Sequence, residues 1–401
     1  MGGAAGSRGL FVDLDALTTA FPLADVEQIL EQTDRMSKRR RKLPAPMLVY
    51  YIIALGLMVS VGAREVLRRF LEKIREDEDW PRVDAPIASE AAITKARKRL
   101  GVEPVRRLFE QAAKPIALET TRGAWFAGRR VVSLDGSTLH VQDSDANERA
   151  FGRLPTSKSP AAWPLIRFVL LIENGTRVPF GAAMSGCRTS ENALARQILG
   201  RLERGMICLA DRLYYSYDMW TQALTTGADL LWRVPGYIRL PRLQTLDDRS
   251  YLSELRPARR GPKHRSGPAI PVRVMEFTAR VRGKTEHYRV ITTIMDPHTA
   301  SAIELARLYA ERWCIETALR EIKTHLRGRR TLLRSKLPEL VRQDFYGLLL
   351  AYFGVRCLMH EGALNENIEP ISISFLHALN VVIRALPEII SFSPSGEAAL
   401  P

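Results

Sequence analysis

The sequence contains few cysteines and no long apolar run. Its four cysteines form no Cys-x-x-Cys pair, so we expect reduced thiols and neither a disulfide framework nor a cysteine zinc site. The most apolar segment, Met47 to Val61, is shorter than the ~20 residues that a membrane-spanning helix needs. The first residues lack the basic and apolar regions of a signal peptide. These absences predict a cytoplasmic protein with no membrane partner.

Acidic residues are also in deficit. The chain has 59 Lys and Arg against 44 Asp and Glu, which gives a net charge of +15. Its seven histidines are scattered without the spacing of metal ligands. A strongly basic protein favours a polyanionic partner, and nucleic acid is the first candidate. At 401 residues the chain is long enough for two or three domains.

The segment from Ile303 to Arg330 carries the strongest helix signal. It is rich in Ala, Leu, Glu, Arg and Lys, and it contains no proline and no glycine before Gly328. On a continuous helix, five apolar residues would share a stripe roughly 60° wide: Leu308, Ile315, Leu319, Ile322 and Leu326. Four polar residues would share a neighbouring stripe, also roughly 60° wide: Tyr309, Arg312, Glu316 and Lys323. One carboxylate is therefore predicted among two cations and a phenol at the edge of a buried surface.

A single glutamate of this kind is usually part of a surface ion pair, since Arg312 and Arg320 each lie four residues from Glu316. The full spacing Tyr-x2-Arg-x3-Glu-x6-Lys is more specific. It matches the signature of the insertion-sequence-four-type DDE transposases, and Trp313 follows the arginine as it often does in that family. On these residues the chain resembles that family.

Two aspartates lie on predicted strands in the middle of the chain. The segment Arg130 to Val141 is β-rich and carries Asp135. Met206 to Ala210 is wholly apolar, as a central buried strand should be, and Asp211 follows it directly. An isolated aspartate in such a place is more often a turn or cap residue. The carboxyl ends of strands are, however, where open α/β sheets place their chemistry.

The elements around these strands have a recognisable order. Trp163 to Glu173 predicts a strand that enters the hairpin turn Asn174-Gly175. The order strand, strand, strand, helix, strand, helix, strand, helix resembles a ribonuclease-H-like fold. In that fold the first strand, the fourth strand and the last helix bring their carboxylates together, and here those elements carry Asp135, Asp211 and Glu316.

The fold class that this resemblance implies is α/β. It comprises a ribonuclease-H-like catalytic domain with an inserted β domain, and helical N-terminal and C-terminal regions. Alternating residues from Ile270 to Arg282 and from His287 to Met295 predict two strands of the insertion. The expected domains are a helical N-terminal DNA-binding domain (1–125), the first part of the catalytic domain (126–234), the inserted β-rich domain (235–297), the last catalytic helix (298–335), a helical C-terminal region (336–390) and a disordered tail (391–401).

Two basic stretches in the N-terminal region are candidates for DNA contact. The run from Arg35 to Lys42 is either a solvated linker or a phosphate-binding segment. A helix capped by Ser89 follows later and is either a recognition helix or an ordinary basic surface helix. Its candidate contacts are Lys95, Arg97, Lys98 and Arg99. In the family that the chain resembles, this region binds the terminal repeats of the element.

Three neighbouring carboxylates repel one another and make a poor structural core without a cation. The resemblance implies that Asp135, Asp211 and Glu316 are catalytic and hold two Mg²⁺ ions, for which Mn²⁺ can substitute. Two such ions activate the attacking oxygen and stabilise the leaving one in phosphodiester cleavage, and Mg²⁺ prefers hard oxygen ligands. Four further residues are implied as contacts of DNA and its phosphates: Tyr309, Arg312, Lys323 and Arg212.

Two other features bear on activity. Some members of the family form a hairpin on the transposon end and flip a base onto an aromatic side chain. Tyr288, Trp232 and Trp313 are candidates for that stacking, although each is more typical of a core. The sequence departs from the family at Leu213, where glycine commonly follows Asp-Arg. This departure raises a question about the turn at Asp211.

The function that the resemblance implies is that of an insertion-sequence DNA transposase. Such an enzyme cleaves DNA at the element ends and joins their 3′-OH groups to target DNA. The expected partners are double-stranded DNA, as terminal inverted repeats and as target, and a second copy of the chain in a homodimeric synaptic complex associated with the nucleoid. Two alternatives remain at this stage: a catalytically inactive DNA-binding protein derived from a transposase, and a related DNA nuclease.

Overall fold

The computed structural model describes residues 20–38, 43–74, 87–154, 163–257, 267–281, 284–326 and 332–389. Contacts divide the chain into a terminal unit, made of residues 1–116, 141–147 and 321–401, and a sheet unit, made of residues 117–140 and 148–320. Half of the basic run from Arg35 to Lys42 and the tail predicted at 391–401 lie outside the described residues.

The helices and strands of the described residues are as follows. The helices are α1 (Leu23–Gln32), α2 (Ala45–Leu57), α3 (Ala63–Ile74), α4 (Glu90–Leu100), α5 (Glu103–Ala112), α6 (Asp145–Phe151), α7 (Glu191–Ile198), α8 (Tyr217–Leu224), α9 (Ala302–Ala310), α10 (Trp313–Arg320), α11 (Pro338–Glu366) and α12 (Phe375–Ile389). The strands are β1 (Trp125–Phe126), β2 (Arg129–Val141), β3 (Leu165–Glu173), β4 (Pro179–Gly186), β5 (Met206–Ala210), β6 (Asp229–Arg233), β7 (Gln244–Thr245), β8 (Tyr251–Leu255), β9 (Ile270–Val281), β10 (Lys284–Thr292) and β11 (Leu332–Leu333).

The terminal unit is mainly helical, which confirms the helices predicted at both ends of the chain. The buried helix α2 packs against the long helix α11, and small residues allow their backbones to meet. A Cβ on Gly56 would lie 2.6 Å from the carbonyl oxygen of Gly347, and a Cβ on Gly347 would lie 2.7 Å from that of Ile52. Glycine is therefore required on both sides of this contact. Within the described ranges, no helix is both long and apolar enough to cross a membrane.

One of the predicted DNA contacts is a core residue of the terminal unit. Arg97 is only 4% exposed. Its guanidinium contacts Asp344 at 2.7 Å and donates to the side chain of Gln343 at 3.0 Å. Lys95 and Lys98 of the same helix are exposed. The expectation that Arg97 contacts DNA is therefore wrong, because its charge is already neutralised inside the protein.

The sheet unit is organised around a mixed sheet in the order β4-β3-β2-β5-β6-β10-β9-β8-β7, and β1 pairs with β2. Strand β2 is antiparallel to β3 and parallel to β5, and β5 is parallel to β6. Every residue of β5 is buried, as predicted from its apolar sequence. The first five strands in this order have the arrangement of a ribonuclease-H-like fold, and the predicted α/β fold class is confirmed.

Helices cover both faces of this sheet. Alternate residues of a strand point to opposite faces, and those of β2 enter two separate cores. Val132 and Leu134 pack with residues of α7 and α8, whereas Val131 packs with residues of α9. The two helical layers exclude water from the central strands, so only the strand ends and the connecting loops are open to a ligand.

The segment predicted as an inserted β domain contributes strands to the same sheet. Strand β10 pairs antiparallel with β6, and Ile291 lies opposite Trp232. Strands β9, β8 and β7 then follow in sequence along the sheet. The strands predicted from Ile270 and from His287 are both present, as β9 and β10. In the described residues the insertion therefore lengthens the central sheet.

The helix predicted from Ile303 to Arg330 is interrupted. Helix α9 ends at Ala310, residues Glu311 and Arg312 form a turn, and α10 begins at Trp313. A π-helical turn, Glu321–His325, follows α10 directly. The prediction of one continuous helix is wrong at this turn, which contains one of the residues of the predicted signature.

Candidate active site

The two aspartates predicted to be catalytic lie side by side on two neighbouring central strands, just past the carboxyl end of their parallel pairing. Parallel pairing of β2 with β5 places Leu134 opposite Ala210, and Asp135 and Asp211 are the next residues on the two chains. Paired strands are about 4.8 Å apart. Because side chains alternate along a strand, both carboxylates point to the face that α9 covers.

Asp135 is held in a largely buried position. Its side chain is 19% exposed, and its Oδ1 accepts a hydrogen bond from the Gly136 N–H at 2.8 Å. Burial raises the pKa of Asp135 to about 6, against the opposing effects of the Gly136 N–H and the Arg312 guanidinium. The carboxylates of Glu191 and Glu316 also raise this pKa. The charged form of Asp135 is thus disfavoured until a further cation is supplied.

Arg312 connects the aspartates with the predicted glutamate. Its Nη1 lies 3.5 Å from Oδ2 of Asp135, and its Nη2 lies 3.3 Å from Oε1 of Glu316. Burial lowers the pKa of Arg312, but electrostatic interactions with Tyr309 and with the carboxylates of Asp135, Asp211 and Glu316 outweigh it and raise the pKa overall. The guanidinium is therefore the cation around which the three predicted carboxylates are grouped.

Tyr309 completes this group from α9. Its side chain is 3% exposed, and its hydroxyl donates to the carbonyl oxygen of Ala210 at 3.4 Å. Burial raises the pKa of Tyr309, so the phenol stays protonated. This contact places the Tyr309 hydroxyl directly beside the backbone that leads into Asp211.

The residues after Asp211 form a short 3₁₀ turn, Arg212–Tyr214. The Arg212 side chain is exposed, and 52% of Leu213 is exposed. Leu213 is not among the non-glycine residues with positive φ. The turn therefore imposes no left-handed backbone at this position, and leucine can stand where the family commonly has glycine without local strain.

The fourth residue of the signature, Lys323, belongs to the terminal unit. It is half-buried and lies in the π-helical turn Glu321–His325. Within that unit Glu321 accepts a hydrogen bond from the Tyr352 hydroxyl at 2.7 Å and forms a buried ion pair with Arg356. Such π-helical turns occur frequently at functional sites. The position of Lys323 is thus fixed within its own unit, and its contact with DNA stays a prediction.

Two of the three aromatic candidates for base stacking are core residues. Trp232 is fully buried and packs edge-on against Trp220, with ring centroids 5.3 Å apart. Tyr288 is 8% exposed and stacks on Phe277 at 5.3 Å. Trp313 is 37% exposed at the start of α10. Of the three, only Trp313 has a surface that a base could reach.

A further carboxylate, which the sequence analysis did not identify, lies near Asp135. Glu191, the first residue of α7, accepts a hydrogen bond from the Tyr214 hydroxyl at 3.1 Å. A Cβ on Gly136 would lie 2.8 Å from Oε2 of Glu191 and 2.9 Å from the Tyr214 hydroxyl oxygen. Glycine is therefore needed directly after Asp135. The one signal in the sequence was Ser190, which caps the helix that begins with Glu191.

The chemistry of this site fits a divalent cation. Carboxylate oxygens are the ligands that Mg²⁺ prefers, and Asp135, Asp211 and Glu316 supply them around the Arg312 guanidinium. Arg312 holds two of these carboxylates, and among the described residues no three His, Cys, Asp or Glu side chains lie close enough together to ligate one ion. Ligation would thus require the side chains around Arg312 to rearrange.

Comparison with known proteins adds independent information. The family described as Insertion element 4 transposase N-terminal matches residues 11–110, and the family described as Transposase DDE domain matches residues 126–353. Over 372 residues the chain is 29% identical to the Transposase InsG for insertion sequence element IS4 of Escherichia coli (strain K12), which covers 92% of this chain and 82% of the relative. A cryo-EM structure of the piggyBac transposase synaptic complex with hairpin DNA aligns with a TM-score of 0.46 and 10% identity, covering 93% of this chain and 80% of the other.

Proposed function

The chain belongs to the transposase DDE domain family, and we propose that it is an insertion-sequence transposase that cleaves DNA at the element ends and joins the 3′-OH ends to target DNA. The match to the N-terminal family of insertion element 4 transposases supports the same type of element. The alternative of an inactive DNA-binding derivative is not favoured, because all three acidic residues are present and Leu213 causes no strain in the turn.

The observation that carries this proposal is the grouping of the carboxylates around Arg312. The guanidinium contacts Asp135 and Glu316 and interacts electrostatically with Asp211. Bringing three acids from two strands and a helix to one place costs electrostatic free energy in the absence of a metal. A catalytic role explains this arrangement, since a role in packing would be served equally well by apolar residues.

A DDE domain implies the use of a divalent metal, and the metal that we propose is Mg²⁺, as two ions, with Mn²⁺ as a substitute. Asp135, Asp211 and Glu316 would hold them. Two such ions supply an activated attacking oxygen and stabilise the leaving oxygen of a phosphodiester. The raised pKa of Asp135 means that this carboxyl must lose its proton before it can act as a ligand.

The remaining signature residues have roles toward DNA in this proposal. Arg312 is planar and permanently charged, so it can bind a phosphate through two parallel hydrogen bonds when it leaves the carboxylates. Arg212 is exposed directly after Asp211 and can contact a phosphate beside the cut. Tyr309 donates a neutral hydrogen bond, and Lys323 adds a further cation from its helical turn. Arg312, Arg212 and Tyr309 would hold the strand while charge develops at the phosphorus. Lys323 is proposed as a separate DNA contact of the terminal unit.

The proposed partners are double-stranded DNA and a second copy of the chain. The net charge of +15 favours DNA, and exposed Lys95 and Lys98 on α4 are candidates for contact with the terminal inverted repeats. Two ends must be cut and joined in one event, so we propose a homodimer that bridges them in a synaptic complex on the nucleoid.

Cleavage of end DNA by variants of two glutamates tests the proposal. The substrate is a labelled duplex from the DNA that flanks the gene, incubated with Mg²⁺ or Mn²⁺. We expect Glu316→Gln to bind this duplex like the wild type and to lose metal-dependent cleavage. Glu203→Gln, which changes an exposed glutamate after α7, serves as the matched control and should cleave normally. Cutting by Glu316→Gln at the wild-type rate would refute the assignment.

A further inference from the structure

A buried amide joins the strand of Asp135 to the turn between α9 and α10. Asn174 is 1% exposed and Ser133 is fully buried. The Ser133 hydroxyl donates to Oδ1 of Asn174 at 2.7 Å, and Nδ2 of Asn174 donates to the carbonyl oxygen of Glu311 at 3.2 Å. The reverse orientation of the amide would bring two carbonyl oxygens together, so the contacts define its orientation.

The two ends of this bridge lie directly beside the acidic site. Ser133 precedes Asp135 by two residues, so both side chains point to the same face of β2. Glu311 immediately precedes Arg312, whose guanidinium contacts Asp135 and Glu316. The bridge therefore connects β2, which carries Asp135, with the turn that carries Arg312 and leads to Glu316.

Asn174 also holds the turn that follows α9, which ends at Ala310. The last carbonyls of a helix have no partner within it. The carbonyl oxygen of Glu311 accepts one hydrogen bond from the Cys314 N–H at 2.8 Å and a second from Asn174. A carbonyl has two lone pairs and can accept both. The Cys314 N–H closes a tight turn on this oxygen, and the Asn174 amide anchors the same turn to Ser133 of β2.

We propose that Asn174 is a positioning residue for the acidic site: by tying Ser133 to the Glu311 carbonyl, it sets where Arg312 and Glu316 lie relative to Asp135. The inference rests on the proposed function for its effect on cleavage. It extends that function by assigning a role to a hairpin residue outside the signature, and Asn174 itself touches neither DNA nor metal.

If Asn174 had a purely structural role, it would stabilise the fold without affecting the geometry of the acids. A matched pair of variants distinguishes this structural role from the positioning role. Asn174→Asp has the same shape but places a carboxylate oxygen against the Glu311 carbonyl. The control is Thr293→Val. Thr293 donates to Asp229 at 2.6 Å and accepts from the Leu230 N–H at 3.0 Å. Both partners lie at the amino end of β6, away from the carboxyl ends of β2 and β5 where the aspartates lie.

Three measurements are made on each full-length variant: thermal unfolding, hydrogen exchange of the segment 311–320, and single-turnover cleavage of end DNA. For Asn174→Asp we expect exchange of that segment to rise about tenfold or more, since a buried hydrogen bond is replaced by repulsion. Cleavage should fall about 10–100-fold, as for loss of a residue that orients metal ligands. Thr293→Val should lose thermal stability but leave both local readouts within about twofold of wild type.

Unchanged exchange and cleavage in Asn174→Asp would overturn the inference, and so would equal losses in both variants. If wild-type protein does not cleave, the proposed function fails, and hydrogen exchange alone then decides whether Asn174 positions α10. Should Asn174→Asp not fold, Ser133→Ala removes one end of the bridge and should lower cleavage about tenfold. Wild-type cleavage by Ser133→Ala would contradict the role of the bridge.

Discussion

Removing the charge of Asp135 should stabilise the metal-free protein while abolishing its activity. Burial raises the pKa of this carboxyl to about 6, from the ordinary aspartate value of 3.8. The side chain is 19% exposed, so solvent screens this effect only in part. Asparagine mimics the protonated acid. Each pKa unit corresponds to about 1.36 kcal/mol, so Asp135→Asn should raise the free energy of unfolding by roughly 3 kcal/mol at pH 8.

The sign of the pH dependence follows from the direction of the shift. The folded protein holds the Asp135 proton more tightly than the unfolded chain does, so the penalty for its charge develops as the pH rises from about 4 to 6 and is constant above that. The advantage of Asp135→Asn should therefore be largest at pH 8 and vanish near pH 4. Urea unfolding in EDTA at several pH values measures it.

A control of opposite sign is available in the same unit. Hydrogen bonds from the His298 N–H and the Thr299 hydroxyl lower the pKa of exposed Asp296. Its charge stabilises the fold above the unfolded pKa, and that contribution is lost on acidification, so Asp296→Asn should lower stability at pH 8. The assignment of a desolvated carboxylate would be refuted if Asp135→Asn lowered the free energy of unfolding at pH 8. It would also be refuted if the variant's gain in stability were the same at pH 4 as at pH 8.

Three further predictions concern packing, the core of the terminal unit and DNA binding. Gly56→Ala should cost about 1–3 kcal/mol in urea unfolding, because the new Cβ would overlap the backbone carbonyl of Gly347; an unchanged midpoint would contradict that contact. Arg97→Met should lower the free energy of unfolding by about 3–5 kcal/mol, because it leaves Asp344 unpaired in the core. If this variant instead had normal stability and lost only DNA affinity, Arg97 would be a DNA contact after all. Binding of the protein to end DNA should weaken steeply as the salt concentration rises. Lys98→Gln should reduce the slope of log affinity against log salt concentration by about 1. A slope of zero in the wild type would exclude phosphate contacts.

Much of the sheet unit could be predicted because its strands have simple signals. The apolar run before Asp211 produced a wholly buried strand, and the Asn174-Gly175 pair produced a turn between β3 and β4. The spacing of apolar residues within a strand depends only on nearby residues, so it can be recognised from the sequence. Because both faces of the sheet are covered by helices, its central strands had to be apolar on both sides. The adjacency of Asp135 and Asp211 followed from the fold that the resemblance implied, and the strand register then placed them side by side.

What sequence reasoning missed depends on contacts between distant segments. The residues around Glu311 favour a helix locally, but the chain turns there, and the Glu311 carbonyl accepts a hydrogen bond from an amide 137 residues away. Arg97 has the appearance of a surface cation, but Asp344 neutralises it in the core. Glu191 is near Asp135 only because the sheet brings α7 beside β2. Local propensity contains no information about any of these partners.

The two aspartates differ in how firmly the backbone holds them. Asp135 lies within β2, which continues to pair with β3 through Asp135↔Leu170 and beyond to His140. Asp211 lies one residue past the end of β5, at the start of a short turn. Moving Asp135 would break hydrogen bonds between β2 and β3, whereas moving Asp211 would disturb only a loop. When a ligand enters, Asp135 should serve as the fixed reference point, and Asp211 should make the adjustment.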